Sequence, residues 1–261
     1  TVKRSNGFLM WMSQSSWPSF MWQTYDWYLD TNAGYFGAKA ANQPTHAVWD
    51  PRDDSIVLSN ITPKTYNNVV TNMKVFDLDG RVVSEHEWDT PKLGPDAYGI
   101  KLATATDDFA KSPTDIVFIR LTVKDGFGNV LGDTVYWHNW KDYMHYESLN
   151  HLPEARLRAT VSPKSTVAGE IGKGNARYII TLSNSSSAPA VQTRIRTLSS
   201  VTNEDILPAF YSDNYFSLMP GESKTVSVEF SPKYLKGGQP VFELRGWNTK
   251  AETINQPQNR K

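Results

Sequence analysis

The 261-residue sequence predicts a mainly β chain that opens on one β/α unit and continues as two β-sandwiches. Three observations predict it. An apolar run, Phe8 to Met12, stops at the polar run Ser13 to Ser16, and Trp17-Pro18 and a helical pattern follow. After Pro44 the hydrophobic period becomes two. Turn signals then recur about every ten residues, the rhythm of a sandwich.

In the opening unit, period 2 puts Leu9, Trp11 and Ser13 on one face of a strand over 8–12, and Phe8, Met10 and Met12 on the other. Apolar residues on both faces suit a strand covered on both sides. A helix is expected from about Ser19 to Leu29, with Pro18 near its first turn. Met21, Tyr25, Tyr28 and Leu29 would form its apolar stripe, opposite Gln23, Asp26 and Asp30. A second short helix, Tyr35 to Ala41, should end before Pro44. Four of the nine tryptophans, Trp11, Trp17, Trp22 and Trp27, lie in this unit. Packed, they would bury on the order of 600–1000 Å², more than a soluble monomer usually leaves exposed. The unit is therefore expected to complete something larger, held in another chain or an upstream segment.

The run Phe8-Leu9-Met10-Trp11-Met12-Ser13-Gln14-Ser15-Ser16-Trp17-Pro18-Ser19 resembles the last β/α unit of the catalytic barrel in glycoside hydrolase family 2. The nearest branches are β-mannosidases, exo-β-glucosaminidases and plant endo-β-mannosidases. Ala33-Gly34-Tyr35-Phe36-Gly37-Ala38-Lys39-Ala40-Ala41-Asn42 resembles the segment by which such enzymes leave the barrel. Leu207 to Leu218 and Pro220-Gly221-Glu222-Ser223 resemble their last β-sandwich. The polar run departs from the family, where many relatives carry Asn or Asp at Gln14 and Ser15. The resemblance implies the last β/α unit of a (β/α)8 barrel at 1–43, an immunoglobulin-like sandwich at 44–152 and a second at 153–261.

In the first sandwich, strands are expected at 45–49, 55–59, 68–77, 81–88, 98–102, 116–124 and 130–137. Val117, Ile119, Leu121 and Val123 alternate, and Asp79-Gly80 and Asp125-Gly126-Phe127-Gly128-Asn129 are hairpin signals. The segment 138–155 reads as an irregular connector. Strands of the second sandwich are expected near 156–162, 176–184, 191–197, 207–211, 215–218, 222–230 and 241–246, with a disordered tail after Gly246.

The family resemblance implies a retaining mechanism with two glutamates about 5–5.5 Å apart. No Glu occurs between Thr1 and Arg81, so the catalytic pair is not assigned to this chain. Glu85 and Glu87 share a face of a sandwich strand and read as a solvated face. The resemblance makes Trp11, at the end of the barrel strand, a platform for the sugar ring; the alternative is ordinary barrel core. Gln14 and Ser15 are candidates to bond sugar hydroxyls or simply to close their loop. Trp17 stands between site wall and packing, whereas Trp22 and Trp27 read as core. His138, His145 and His151 lack metal-ligand spacing, and Ser212-Asp213-Asn214 reads as a turn rather than a calcium loop. Asn60-Ile61-Thr62 and Asn184-Ser185-Ser186 match the N-glycosylation pattern.

A formal net charge of zero gives no basic footprint for nucleic acid. The sequence has no cysteine, which excludes a disulfide scaffold and a thiolate zinc site. No apolar run reaches the ~20 residues that span a membrane. No cofactor is expected. The expected role is the C-terminal portion or a processed subunit of a retaining family 2 β-glycosidase. An endo-β-mannosidase cleaving Manβ1-4GlcNAc of N-glycan cores is the first reading, and an exo-β-D-glucosaminidase acting on chitosan oligomers the second. A non-catalytic carbohydrate-binding double sandwich is the third. Expected partners are the remaining fragments of the same glycosidase and an oligosaccharide. The compartment is open; a plant source would imply a vacuolar or secretory route.

Overall fold

A computed structural model describes residues 9–19, 23–164 and 174–254. They divide into two compact units, Gly37–Leu152 on one side and Leu9–Phe36 with the residues from Pro153 onward on the other.

The first unit carries seven strands: β1 (Thr45–Asp50), β2 (Ser55–Asn60), β3 (Tyr66–Phe76), β4 (Val82–Leu93), β5 (Ala97–Thr104), β6 (Ile116–Lys124) and β7 (Val130–Asn139). They pair antiparallel as two sheets, ordered β1-β2-β5 and β4-β3-β6-β7. Alternation set this up: Val117, Ile119, Leu121 and Val123 are all buried, against Ile56, Leu58, Met73 and Val75. Trp49 packs its ring on Phe109, Tyr136 and His138. The hairpins at 77–81 and 125–129 have one design. Asp77 and Asp125 each accept, through Oδ1, the backbone N–H four residues on, at 2.8 and 2.9 Å. The fourth residue of each loop, Gly80 or Gly128, sits at φ +82 or +83, where a side chain would strain the backbone.

The second unit carries β8 (Leu157–Lys164), β9 (Ala176–Asn184), β10 (Ala190–Ser199), β11 (Ala209–Tyr211), β12 (Phe216–Leu218), β13 (Ser223–Phe230), β14 (Pro240–Arg245) and β15 (Glu252–Ile254). Its sheets run β11-β13-β9-β8 and β12-β10-β14-β15, again antiparallel. Between them lie Ile180, Leu182, Ile195, Val226, Val228, Phe230, Phe242 and Leu244. The topology repeats that of the first unit. In each, the second strand lies beside the first, and the third is flanked by the edge strand β4 or β12.

Several expectations fail here. Residues 9–12 form no strand and 23–29 no helix; Phe8 and Trp22 lie outside the described residues. The barrel unit is thus not shown. The reason is local: residues 9–12 pair with no neighbouring strand among the described residues, and a single strand cannot make a sheet. In 23–30 the Asp26 carboxylate takes the backbone N–H groups of Tyr28 and Asp30, at 2.8 and 2.9 Å, offering the chain a turn in place of a helix. Helix α1 (Ala33–Ala41) does form, begun by Asn32, whose Oδ1 accepts the Tyr35 N–H at 3.1 Å. The expected disorder after Gly246 is not seen over 247–254, where Ile254 is buried in β15. The connector holds a short 3-10 turn, Glu147–His151, and a one-turn helix α2 (Thr106–Phe109) precedes β6.

Candidate functional site

Residues 9–32 hold the sequence-predicted site. Trp11 and Trp17 are 78% and 68% exposed in this chain. Trp27, expected in the core, is 45% exposed and Tyr28 62%, because the Asp26 loop turns them outward. Gln14 pairs in parallel with Tyr25 and its side chain is exposed. Ser15 is buried and accepts the Ser19 hydroxyl at 3.0 Å, so it closes its own loop. Trp11, Gln14 and Trp17 are thus exposed, and Ser15 is turned inward.

This segment is held by a small set of contacts. Ser13 O accepts the Tyr25 N–H at 3.0 Å and the Thr24 hydroxyl at 3.3 Å. The Asn32 amide donates to Gln23 O. Tyr25 meets Tyr35 edge-on, 5.4 Å between ring centroids, and Tyr35 meets Phe36 at 5.0 Å. Burial, with Tyr35 beside it, raises the Tyr25 phenol above its ordinary value. Asp30 forms an ion pair with Arg194 of β10. Burial still raises the Asp30 carboxyl above the usual range, although Arg194 pulls it down. Leu29 has φ +69, the backbone that Gly80 and Gly128 supply in the two sandwich hairpins.

The two asparagines of the glycosylation pattern sit in closed turns. Asn60 is fully buried and Asn184 1% exposed. Asn60 Nδ2 donates to Lys64 O and Gly94 O at 2.9 and 2.7 Å. Asn184 Nδ2 donates to Ala188 O and Leu218 O at 2.8 and 2.9 Å. Each Oδ1 accepts the N–H and hydroxyl of the residue two on, Thr62 or Ser186. The nitrogen that would carry a glycan thus donates to two backbone carbonyls in each case. The hydroxyl of each triplet serves the same closed turn.

A second cluster has the residue types of a hydrolytic triad. Ser84 Oγ donates to Asp108 Oδ1 at 2.7 Å, and His86 Nε2 lies 2.9 Å from that oxygen and 3.3 Å from Ser84 Oγ. A triad needs the two imidazole nitrogens to face different partners. Here one nitrogen faces both, and Lys111 Nζ reaches the same carboxylate oxygen at 2.6 Å. The group ties α2 to β4. Burial pushes the Asp108 carboxyl up, but its bonds to Lys111, His86 and Ser84 outweigh that and hold it below the usual range. Glu85 lies outward on β4, bonded to Asn72 and Lys74, as a solvated face should. Among the described residues no group of three or more His, Cys, Asp or Glu could hold a metal. No helix among them is long and apolar enough to cross a membrane.

Residues 134–249 match the family model described as the exo-β-D-glucosaminidase Ig-fold domain. That match covers under half of the chain, and over it the chain is similar to this family. The exo-β-D-glucosaminidases of Amycolatopsis orientalis and Streptomyces avermitilis are 28% and 29% identical over 96% and 97% of this chain. The mannosylglycoprotein endo-β-mannosidase of Lilium longiflorum is 24% identical over 94%. A crystal structure of the Amycolatopsis orientalis exo-chitosanase superposes with a TM-score of 0.78 over 94% of this chain, at 28% identity. This chain spans only 25% and 29% of the two exo-glucosaminidases' own length.

Proposed function

We propose that the chain is the C-terminal portion of a retaining family 2 β-glycosidase whose substrate carries a terminal β-linked glucosamine. The observation that carries this reading is the pairing of a tryptophan-rich open segment with the second sandwich, in a chain whose relatives are glycosidases three to four times longer. Trp11 offers a flat apolar face to the C–H face of a sugar, with Gln14 beside it for hydroxyls and Trp17 as a wall. The catalytic glutamates come from the remainder of the enzyme. The endo-β-mannosidase reading stands second, supported by the Lilium longiflorum relative; the family model and the higher identities favour glucosamine.

Reconstituting the chain with the rest of its enzyme tests this. The assembled enzyme should release p-nitrophenol from the aryl β-glucosaminide faster than from the aryl β-mannoside, and the 261-residue chain alone from neither. Trp11→Ala should lower the specificity constant about 10- to 1000-fold, equivalent to a lost contact of ~1.4–4 kcal/mol, without an equal loss of melting temperature. Earlier melting with normal kinetics in the surviving enzyme would assign Trp11 to packing instead.

A further inference from the structure

The second sandwich contains a receiving site for the aromatic segment, built around residues that the sugar reading does not use. Asn214, 3% exposed, lies beside β10. Its Nδ2 donates to Ile195 O at 2.9 Å and its Oδ1 accepts the Ile195 N–H at 2.8 Å. This two-bond clamp imitates the pairing of one strand with another. The next residue, Tyr215, is held at φ +54, a backbone region that bulky residues seldom occupy and that tends to persist where function requires it. Its ring is thereby presented to Arg194, whose guanidinium carbon lies 5.5 Å from the centroid, and to Phe36, 6.0 Å away ring to ring. Arg194 closes the site by pairing with Asp30; the two side chains are only 16% and 29% exposed.

The contacts then continue along the segment. Asp30 closes the loop that begins at Asp26, where its N–H meets the Asp26 carboxylate. Tyr25 precedes that loop, stacks edge-on with Tyr35 and hydrogen-bonds Ser13 O. Ser13 stands two residues from Trp11 and directly before Gln14. Isolated bridges are the only strand pairing of 9–32 among the described residues, too little to hold a sugar platform still by itself.

We propose that Arg194, seated on Tyr215, is a positioning residue: it docks the Asp26–Asp30 loop on the second sandwich and so fixes where Trp11 and Gln14 stand. This rests on the sugar-facing reading of Trp11. In the proposal Arg194 touches no substrate. Its effect passes through Asp30 and the Tyr25–Ser13 bond.

The test has two arms. In the 261-residue chain, hydrogen exchange of the Tyr25, Tyr28 and Asp30 amides is compared between wild type and Arg194→Met. Faster exchange at these three, about ten-fold, with Ile195 and the β13 amides unchanged, is the expected result; equal exchange overturns the docking role. In the reconstituted enzyme, Arg194→Met and Asp30→Asn should each lower kcat/KM for the aryl β-glucosaminide about ten-fold. The double variant should be no worse than either single one, and Arg194→Lys should recover part of the loss. A harmful Trp11→Ala beside a neutral Arg194→Met overturns the positioning role and spares the sugar platform. A neutral Trp11→Ala overturns both. A lowered melting temperature with kinetics unchanged in the folded fraction assigns Arg194 to stability alone and overturns the proposal.

Discussion

In the first sandwich β2 ends on Asn60, and in the second β9 ends on Asn184. Each asparagine amide crosses from its own sheet to a carbonyl at the end of an edge strand of the other, Gly94 after β4 or Leu218 in β12. A single side chain thus staples two sheets at one end in both domains. The two domains differ in what else they bury. All five histidines of the sequence lie between 46 and 151, in the first unit, and none in the second sandwich. The shared staple shows what this topology needs in order to close. The unshared histidines show where the domains should part company when conditions change.

The largest expected effect comes from removing a staple. Asn60→Ala or Asn184→Ala strands two backbone carbonyls, buried at Asn184 and half-buried at Asn60, and the N–H of the turn, each worth about 1–3 kcal/mol when left unpaired in the interior, less what water can repair. A loss of about 3 kcal/mol is expected at either site, which for a domain of this size lowers the melting temperature by roughly 10–20 °C. Asn60→Ala should be the worse, because Asn60 Oδ1 also accepts the Thr45 hydroxyl of β1 at 2.9 Å. Calorimetry should show one sandwich melting early and the other unmoved. Loss of both transitions together would mean that the two domains unfold as one. Chain secreted from a eukaryotic host should also carry no glycan at either residue once folded.

Acid should separate the sandwiches next. Burial lowers His46 and His138 below the ordinary imidazole value; His138 is wedged between Trp49 and Phe109. Unfolded, both titrate near ~6.5. A proton therefore binds the unfolded chain more readily, and stability is lost as pH falls below ~6.5 toward the folded values; above that it is fully present. His145 runs the other way. Its bond to Asp142 raises it, so its contribution is present below ~6.5 and lost as pH rises, but it is fully exposed and screened. Lowering the pH from about 7.5 to about 5.5 should shift the first sandwich's melting downward and leave the second's in place. His46→Gln should flatten that slope. Equal shifts in both would show that carboxylates, not histidines, govern this range.

Smaller again is the hydroxyl of each triplet. Thr62→Ala and Ser186→Ala keep the asparagine and its two carbonyl bonds but remove the hydroxyl that donates to its Oδ1 and accepts the Lys64 or Arg156 N–H, at about 1 kcal/mol each because both turns lie near solvent. Unequal losses would show that the two staples, alike in geometry, share their load differently.

The seven strands of the first sandwich were legible because burial follows alternation, as along Val117 to Val123. The staples were not. Asn-Xaa-Ser/Thr is one pattern for two uses, and only the positions of Gly94 and Leu218 decide between them. β15 escaped because Glu-Thr-Ile is too short to show a period, and α2 because Thr106–Phe109 is a single turn. The helical stripe of Met21, Tyr25, Tyr28 and Leu29 was real as a pattern, but over the described residues 23–29 it lost to a side-chain turn. A signal was present: Asp26 to Asp30 has the spacing of Asp77 to Arg81 and Asp125 to Asn129. Leu29, standing where those loops have glycine, concealed it. Trp11 and Trp17 stood out in the sequence as candidates, whereas Arg194 and Tyr215 carried no mark, since their pairing with Asp30 and Phe36 spans more than 160 residues.

That leucine gives the smallest effect and compares a third region with the sandwiches. In all three loops an aspartate carboxylate accepts the N–H four residues on, and all three turn at φ between +69 and +83. Glycine reaches that backbone freely, while a left-handed L-residue costs roughly 1–2 kcal/mol. Leu29→Gly should relieve that strain but give back ~0.5–1 kcal/mol through the greater freedom of the unfolded chain. The net expectation is therefore neutral to slightly stabilising, by under ~1 kcal/mol. Gly80→Ala and Gly128→Ala should each destabilise by about 1 kcal/mol, because alanine inherits the strain with nothing to offset it. Chemical denaturation of the three variants side by side makes the measurement. If Leu29→Gly instead destabilises by well over 1 kcal/mol, the leucine side chain is packed to a degree that its 40% exposure does not show. The Asp26 loop would then be held by apolar contact, and the likeness of the three loops would be geometric only.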